Sequence, residues 1–506
     1  MSSSLSPADL SGASVAWLEW SPIAFERAAD LGRPVLLSIT ASWCHGCAVM
    51  DRVAYAEPRV TAIIDRSFVP VRVDADRRPD INDRYNLDGW PTTALLTPSG
   101  EMLTGTTYLP ADGLLAMLAD VAEAYRTRRA ALDQRAADLA QTRRARLRTK
   151  VGGIELDLAA PAWIARRVVE ECDPEHGGFG ANGKFLHVPA LTVALSEFGR
   201  TRDPALGRAI ALTLDGMADG QIRDEIDGGF FRYAAGADWS RPHTEKMLDD
   251  QVGIAVLYLE AARLFDHASW RDIGRDVVTY VRTTLADEAE ARFFASQAAD
   301  DAYYQVRSAS LRRTLDAPVV DRTLFVDHTA RAASAWIRAG AVTGDVSLTE
   351  AGARALDRIL MLTYQPGQGV AHWFDGHIGE RGLLTDQVHT AWALVTLNDA
   401  TANPTWSMAA EELMRGALRT MWDSTSGAFL DRAAEPADVG LVADPLVPLA
   451  TNAMAARVLS RLSRLTGDLV FQEHALEILR ALAPTYRQQG LFGAPYAVAV
   501  TETLGR

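Results

Sequence analysis

The spacing of hydrophobic residues divides the chain into two regions. Between residues 15 and 125, short apolar runs alternate with helical patterns. Short apolar runs bounded by turn residues are typical of buried strands, and the runs here predict strands at residues 34–40, 68–74 and 92–97. A parallel β-α-β start followed by a hairpin predicts a small α/β domain over residues 1–125.

The second region has the spacing of helices. From about residue 153 to the end, apolar residues recur every three or four positions. Six turn signals, most with an aromatic residue, interrupt this pattern at intervals long enough for one helical hairpin each. Six hairpins closing on themselves predict an all-α (α/α)6 barrel over residues 153–506, with inner helices whose N-termini face one cavity. A helical solenoid is the alternative. The six turn signals lie at residues 173–179, 224–230, 287–294, 365–369, 423–429 and 489–492.

A basic helical stretch at residues 126–152 separates these regions. It carries Arg128, Arg129, Arg143 and Arg144 among other arginines. Such a stretch is either a patch for nucleic acid or membrane, or a solvated connecting helix. The acidic composition of the remaining chain favours the connecting helix.

Composition narrows the classes of partner. The 506 residues include 51 Lys and Arg against 65 Asp and Glu, a net charge of −14. We expect no nucleic-acid partner, because phosphate binding needs a basic face. We also expect no membrane partner, since no apolar run reaches the length of a membrane span. Residues 1–7 lack the features of a secretory signal, so the expected location is cytoplasmic.

Two of the three cysteines form a CxxC pair. Cys44 lies where a predicted strand ends and a helix begins, and a helix N-terminus lowers the pKa of a thiol there. Cys47, one turn inside the helix, can resolve a mixed disulfide. Trp90 and Pro91 precede the third predicted strand, where thioredoxin-like proteins carry a cis proline against the CxxC. The N-terminal domain is therefore predicted to have a thioredoxin-like fold.

Other roles for the cysteines stay open at this point. The pair could remain reduced without any redox activity. Zinc is a weaker hypothesis, because His45 is the one further ligand nearby and a closed site needs four. We predict no metal and no cofactor. In the redox interpretation, Cys44, Cys47 and Pro91 are catalytic, and Trp43 and Trp90 contact the substrate.

Reactive side chains are densest at residues 227–251 of the helical region. This segment combines acids, a base and a cation near one predicted helix N-terminus. His243, Lys246 and Asp250 have the spacing of one helix face. The competing interpretation is structural, because carboxylates cap helices and buried ionic networks often serve packing. The candidate acid/base residues are Asp227, His243 and Glu245, and the candidate substrate-binding residues are Arg232, Tyr233, Trp239, Lys246, Asp250, His176 and Lys184. Asp386, Gln387 and His389 open a later helix that faces the same predicted cavity.

These motifs resemble a known family in both regions and in the same order. The chain is similar to the thioredoxin-domain proteins of the spermatogenesis-associated protein 20 type, whose N-terminal part is domain of unknown function 255. The resemblance implies a thioredoxin-like domain followed by an (α/α)6 barrel like that of six-hairpin glycosidases and N-acylglucosamine 2-epimerases. The motifs that carry it are residues 43–47, 73–74, 78–80, 89–91, 108–110, 176–180, 184–185 and 227–251.

The chain also departs from this family. Ala48 stands where family members usually carry a histidine after the second cysteine, which weakens a metal or proton-relay role there. Residues 183–186 read Gly-Lys-Phe-Leu instead of the Pro-Lys-Phe-Pro of many relatives. This chain is also shorter than many members.

Three hypotheses for function follow. In the first, the thioredoxin-like domain is a thiol–disulfide oxidoreductase or redox sensor, and its partner is a client protein or a thioredoxin-reductase-type system. In the second, the barrel is an epimerase- or glycosidase-like enzyme for a small sugar, and the thioredoxin-like domain is accessory. In the third, the protein is a non-catalytic scaffold.

Overall fold

A computed structural model describes residues 15–147, 155–180 and 183–505. Residues 1–7 and 148–152, on which two of the expectations above fall, lie outside these ranges. The chain folds into two compact units, and the first combines Met1–Thr149 with the later segment Ala434–Leu446. The second combines Lys150–Ala433 with Val447–Arg506. The described part of the predicted linker therefore clusters with the first unit.

The first unit is built on a four-stranded sheet of order β2-β1-β3-β4. β1 pairs parallel with β2 and antiparallel with β3, and β3 pairs antiparallel with β4. The central strand β1 is buried along almost its whole length, as its unbroken apolar run predicted. The three predicted strands are confirmed to within one residue at each end. The strands are β1 (Val35–Thr40), β2 (Val69–Asp74), β3 (Thr92–Leu96) and β4 (Met102–Thr106).

Helices cover this sheet and carry the CxxC motif. The second helix starts at His45, so Cys44 takes the N-cap position as the sequence indicated. The last helix leaves helical geometry at Arg128, where φ is −130° and ψ is 22°. The helices are α1 (Pro22–Leu31), α2 (His45–Met50), a π-helical turn (Asp51–Tyr55), α3 (Pro58–Ser67), α4 (Pro79–Tyr85) and α5 (Ala111–Leu147).

The segment Ala434–Leu446 is tied to the first unit by ionic contacts. Asp444 accepts from Nε of Arg143 at 2.6 Å and from Nε of Arg144 at 2.8 Å, both on α5. The Arg143 guanidinium also lies 2.7 Å from Oε1 of Glu101. Arg84 of α4 donates to the backbone oxygen of Asp444 at 2.8 Å. A late part of the chain therefore completes the charge pairing of the first unit.

The second unit is helical, as its apolar spacing predicted. Its helices are α6 (Ala160–Glu171), α7 (Val188–Thr201), α8 (Pro204–Asp219), α9 (Leu248–Phe265), α10 (Ala268–Thr284), α11 (Asp301–Tyr304), α12 (Ala309–Arg312), α13 (Val326–Thr343), α14 (Val346–Thr363), α15 (Leu384–Thr401), α16 (Pro404–Thr420), α17 (Leu449–Thr466), α18 (Leu469–Leu482) and α19 (Ala494–Thr503). The described residues also include 3₁₀ segments at Gly440–Ala443 in the first unit and at Tyr486–Gly493 in the second.

Six of these helices form a closed inner ring. α7, α9, α13, α15 and α17 contact one another in sequence, α17 contacts α19, and α19 returns to α7. Each inner helix has an outer partner, and the last hairpin joins the two ends of the region because α19 packs on α6. The ring confirms the (α/α)6 barrel and excludes the open solenoid.

Short strands lie in the loops that precede the inner helices. They are β5 (Lys184–Phe185), β6 (Tyr233–Ala234), β7 (Pro242–His243), β8 (Lys246–Met247), β9 (Ala286–Asp287), β10 (Arg292–Phe293), β11 (Ser296–Gln297), β12 (Val320–Asp321), β13 (Leu324–Phe325), β14 (Trp373–Phe374), β15 (Trp422–Asp423) and β16 (Ala428–Phe429). Among the described residues, no helix combines the length and the apolar character that a membrane crossing requires.

Three of the hairpins share one pattern of hydrogen bonds between a side-chain amide and the backbone. The fourth residue of α9, α15 and α17 is an amide whose side chain clamps the backbone of the residue that follows a glycine turn. Gln251, for example, accepts from the Phe230 N–H at 2.8 Å and donates to its carbonyl at 2.7 Å. Gln387 holds Val370 and Asn452 holds Phe429 in the same way. The clamps satisfy buried backbone groups that would otherwise lack partners.

Candidate functional sites

A disulfide joins Cys44 and Cys47 where β1 gives way to α2. The backbone N–H of Cys47 donates to Sγ of Cys44 at 3.0 Å. Cys44 is 7% exposed and Cys47 4%, so the pair lies just below the surface, with Cys44 the more accessible. A sulfur at a helix N-terminus that also accepts a backbone N–H is in an environment that stabilises a thiolate.

Pro91 lies against this corner. The Trp90–Pro91 peptide bond is cis, as the sequence pattern indicated. A side chain at Gly46 would approach Cδ of Pro91 to 3.2 Å and the carbonyl oxygen of Trp90 to 3.4 Å. The glycine between the two cysteines therefore permits close approach of the proline segment to the motif.

Two tryptophans flank the CxxC. The rings of Trp43 and Trp90 meet edge-on with centroids 5.3 Å apart. Trp43 is buried and donates from Nε1 to Asp76 at 2.9 Å, and half-buried Trp90 donates from Nε1 to Asn82 at 3.1 Å. Both rings are held by hydrogen bonds, and Trp90 is the one with surface to offer a partner.

Two glycine turns of the barrel, which begin at Asp173 and at Asp224, are built alike. In each turn a buried lysine bonds to the aspartate, at 2.8 Å for Lys184 with Asp173 and 2.8 Å for Lys246 with Asp224. Each lysine also donates to a glycine carbonyl of its turn. Consecutive glycines at positive φ make these tight turns. Lys184 and Lys246 are 0% exposed, so neither ammonium is available to a ligand from solvent in this conformation.

The expectation that His243, Lys246 and Asp250 share one helix face is wrong. α9 begins only at Leu248, and His243 and Lys246 belong to strands β7 and β8. Strand pairing with β6 and β11 takes these residues out of the helix. The spacing was a coincidence of two strands that precede the helix.

Asp227 lies beside the ion pair of Lys246 and Asp224 in the second turn. Nη1 of Arg312 contacts Asp224 at 2.7 Å and Asp227 at 3.1 Å. Lys246 also lies over the rings of three aromatic residues, with Tyr280 nearest at 4.6 Å. Asp227 is thus paired with an enclosed guanidinium, separate from the aromatic stack described next.

Three rings stack on the sheet β5-β6-β7. The Tyr233 ring lies 4.0 Å from that of His243 and 4.9 Å from that of Phe185, both nearly parallel. His243 and Phe185 are exposed. Trp239, expected to stack on a ligand, is instead buried, and it donates from Nε1 to the His176 carbonyl at 2.9 Å. The stacking surface in this region is therefore the ladder of Phe185, Tyr233 and His243.

Glu245, Arg232 and Asp250 are coupled by charge. Nη1 of Arg232 lies 3.5 Å from Oε1 of buried Glu245. Burial raises the pKa of Asp250 to about 7, opposed by Arg232 and reinforced by Asp249 and Glu245. A carboxyl with a pKa near neutrality can exchange a proton at physiological pH, the property required of a general acid or base.

A second cluster lies at the N-termini of α9, α13 and α15. Nη1 of Arg331 bonds to Asp249 at 2.8 Å, and Nη2 lies 3.5 Å from Asp327. Buried His372 contacts Asp386 through Nδ1 and Oδ1 at 2.9 Å. Burial raises the pKa of Asp386 to about 6, which the neighbouring His372 opposes. The inner ring therefore gathers acids, imidazole and guanidinium at one end, as the hairpin pattern indicated.

Sequence reasoning missed part of this second cluster. Asp386 and His389 were recognised as polar residues that open a helix, whereas Arg331 and His372 were not singled out. The available signal was the recurrence of an acidic residue at the start of successive inner helices, at Asp249, Asp327 and Asp386.

The fold and these sites define a two-domain protein, with a thioredoxin-like domain that carries a CxxC and an (α/α)6 barrel with an ionisable cluster at one end. Residues 6–143 match the Thioredox_DsbH family model, described as protein of unknown function, DUF255. Spermatogenesis-associated protein 20 of Homo sapiens is 29% identical over 342 residues, which cover 61% of this chain and 43% of that protein. The predicted resemblance is confirmed, and the match spans less than half the length of this relative.

Two further similarities concern the separate domains. Thiol:disulfide interchange protein DsbD 1 of Pseudomonas aeruginosa is 34% identical over 82 residues, 15% of this chain and 14% of that protein. Cellobiose 2-epimerase of Spirochaeta thermophila has a similar structure, with a TM-score of 0.53 and 15% identity over 65% of this chain and 84% of that one. At that identity the structural likeness shows the fold of the barrel alone.

Proposed function

We propose that this protein is a thiol–disulfide oxidoreductase in which Cys44 attacks and Cys47 resolves. The observation that carries the proposal is the position of Cys44, at the N-cap of α2 and within hydrogen-bond distance of the Cys47 N–H. Helix N-termini and backbone donors favour thiolate over thiol. The similarity of a short segment to a thiol:disulfide interchange protein also supports it.

The exchange has two steps. The Cys44 thiolate attacks one sulfur of a client disulfide, forms a mixed disulfide, and releases the other client sulfur as a thiolate. The Cys47 thiolate then attacks Sγ of Cys44, which releases the second client thiolate and forms the Cys44–Cys47 disulfide. The client gains two electrons, and a dithiol reductant such as a thioredoxin-reductase-type system must restore the pair.

Pro91 and Trp90 form the side of the site that a client would meet. In this proposal Pro91 positions an extended client segment beside Cys44, and Trp90 contributes an apolar surface. Trp43 supports Trp90 from below through the edge-on ring contact. An extended segment is recognised by its backbone and by a few side chains, which suits client proteins of varied sequence.

Redox titration of the full chain in glutathione buffers tests the proposal. Mass spectrometry after alkylation counts the free thiols of Cys44 and Cys47 at each potential. We expect a reversible disulfide with a potential of about −270 to −200 mV, the range of thioredoxins and glutaredoxins. Cys47→Ser should accumulate a mixed disulfide with a disulfide-bonded client, and Cys44→Ser should not.

Cys172→Ser is the matched control. Cys172 is a free, half-buried cysteine of the second unit, so its loss should leave the titration unchanged. The oxidoreductase proposal fails if Cys44 and Cys47 stay reduced across the whole range of buffers.

A second candidate function belongs to the barrel. The ionisable groups at the N-termini of α9, α13 and α15, Asp250 among them, support a sugar-active enzyme, because they join carboxyls and imidazoles within one barrel end. Incorporation of deuterium into cellobiose in D2O, followed by NMR, tests this candidate with the substrate named for the structural relative. Asp250→Asn should abolish the exchange and Asp238→Asn, in an exposed turn, should retain it. Absence of exchange by the wild-type chain would exclude cellobiose, and inactivity of both domains would favour a scaffold.

A further inference from the structure

Three buried side chains from three elements converge in the barrel. Asp327 lies in the first turn of α13, His372 lies just before β14, and Asp386 lies in the first turn of α15. One ligand atom from each lies within 4.8 Å of the other two. Their exposed fractions are 5%, 2% and 0%. This set of groups is separate from the CxxC chemistry proposed above.

In each carboxylate, one oxygen takes part in a hydrogen bond and the other does not. Oδ1 of Asp386 contacts Nδ1 of His372, and Oδ2 of Asp327 accepts from Thr385 at 3.3 Å. Among the described residues, Oδ2 of Asp386 and Oδ1 of Asp327 have no hydrogen-bond partner. Buried charged oxygens in folded proteins are normally paired or bound to metal, because leaving them alone is costly.

Cationic groups approach these oxygens without hydrogen-bonding to them. Nε2 of His328 lies 3.8 Å from Oδ1 of Asp327. The guanidinium of Arg331 lies nearer to Asp249, at 2.8 Å, than to Asp327, at 3.5 Å. Asp386 has an imidazole as its contact, a group that is neutral or cationic according to its protonation. A divalent cation would supply the positive charge that two buried carboxylates call for.

The spacing suits a small metal ion. Three atoms no more than 4.8 Å apart all lie within about 2.8 Å of a common point, and metal–ligand distances for Zn²⁺ are about 2.0–2.2 Å. Small rotations of the three side chains would close that difference. One imidazole nitrogen with two carboxylate oxygens is a mixed donor set, which suits first-row divalent ions and leaves coordination positions open.

We propose that Asp327, His372 and Asp386 bind one divalent first-row transition-metal ion, such as Mn²⁺ or Zn²⁺. The ion faces the N-terminal end of the inner ring, where Thr385 and Arg331 orient Asp327 from behind. Its open positions bind water or a hydroxyl-bearing ligand of the barrel. Partners that orient metal ligands in this way typically tune the affinity of the site.

Mn²⁺ binding to the full chain tests the proposal. The disulfide is kept oxidised, so that the thiols of Cys44 and Cys47 do not compete for metal. We expect isothermal titration calorimetry to give one Mn²⁺ per chain, and pulsed EPR to detect one imidazole nitrogen bound to the ion. Asp386→Asn and His372→Gln should each weaken binding at least tenfold, since even the partners of metal ligands contribute about 10–100-fold.

His377→Ala is the matched control. His377 lies 3.8 Å from Asp375, a histidine–aspartate pair of the same composition that is 92% exposed at the imidazole. This variant should bind Mn²⁺ like the wild type. The proposal is overturned if the wild-type chain binds no Mn²⁺, if its EPR spectrum lacks nitrogen coupling, or if folded Asp386→Asn binds as tightly as the wild type. The nitrogen coupling is measured on the wild type and so decides the question even where a variant fails to fold.

Discussion

The backbone N–H of Cys47 points at Sγ of Cys44 over 3.0 Å, within the first turn of α2. The donor is fixed by the helix, so it stays in place when the disulfide opens. It then faces the sulfur on which a thiolate would form. Cys172, by contrast, lies against the Ala209 carbonyl and the Thr213 hydroxyl at 3.8 Å each.

This difference predicts unequal reactivity in the reduced chain. Cys44 should react with iodoacetamide at pH 7 at least about tenfold faster than Cys172, because burial raises the pKa of the Cys172 thiol. Rates of alkylation for each cysteine, followed by peptide mass spectrometry, measure the ratio. Urea should abolish the difference, since both thiols are then equally solvated. Equal rates in the folded chain would contradict the thiolate environment assigned to Cys44.

The buried ionic group around Asp224 should be essential to the stability of the barrel. Asp224→Ala leaves the ammonium of Lys246 and the guanidinium of Arg312 enclosed without this carboxylate. We expect the free energy of unfolding to fall by about 3–5 kcal/mol, as is typical when one partner of a buried pair is removed. Chemical denaturation followed by circular dichroism measures the loss.

Asp276→Ala is the comparison for that substitution. Asp276 pairs with Arg223 at 3.1 Å but is 60% exposed, and an exposed pair contributes at most about 1 kcal/mol. A similar fall in the free energy of unfolding of both variants would show that the burial of Asp224 does not increase its contribution to stability.

Asp250 should give the barrel a pH-dependent stability. Burial raises the pKa of this carboxyl to about 7, whereas an aspartate in an unfolded chain titrates near 3.9. Between about pH 4 and pH 7 the folded chain therefore binds more protons at Asp250, and this group makes the free energy of unfolding fall as pH rises. Asp250→Asn removes the effect, so the variant should gain stability relative to the wild type between pH 5 and pH 8.

Urea denaturation at both pH values, in the presence of EDTA, measures this gain. Asp238→Asn provides the control, because the hydrogen bonds of Ser240 lower the pKa of Asp238 and keep its titration below this window. A constant difference between Asp250→Asn and the wild type from pH 5 to pH 8 would exclude the raised pKa.

Asp444 should stabilise the first unit although it lies late in the chain. Asp444→Ala removes the carboxylate shared by Arg143 and Arg144. Hydrogen bonds to charged groups contribute about 1.5–3 kcal/mol each, and partial exposure of the arginines places the expected loss near 2 kcal/mol. Hydrogen exchange of α5 amides should increase in this variant.

The comparison variant is Asp112→Ala, a substitution within α5 itself. Asp112 is 86% exposed and contacts Arg59 at 3.0 Å, so its loss should leave exchange nearly unchanged. If the α5 amides exchange at the same rate in both variants, the segment Ala434–Leu446 does not stabilise this helix through Asp444.

Local patterns explain what the sequence could predict. β1, β2 and β3 follow continuous or alternating apolar runs, which indicate strands whatever surrounds them. Cys44 and Pro91 belong to motifs of known geometry. The hairpins of the barrel were visible as turns that end each helical pattern, and the closing contact of α19 with α6 follows from their number.

Long-range partners explain what the sequence could not predict. Lys246 looked like a residue of a helix face because its partner Asp224, which also binds Arg312, lies far away in the sequence. His372 has no local motif, and its relation to Asp327 depends on how two inner helices pack side by side. Spacing along one segment cannot show such contacts, because the barrel fold alone sets them.

The segment Ala434–Leu446 has a consequence for biosynthesis. On a ribosome the sheet and helices of the first unit emerge early, yet Arg143 and Arg144 meet Asp444 only after most of the barrel has been translated. Until then Arg144 lacks the Asp444 carboxylate, and Glu101 is the remaining ionic partner of Arg143. The ionic contacts of Asp444 with α5 are therefore among the last contacts of the first unit that translation allows to form.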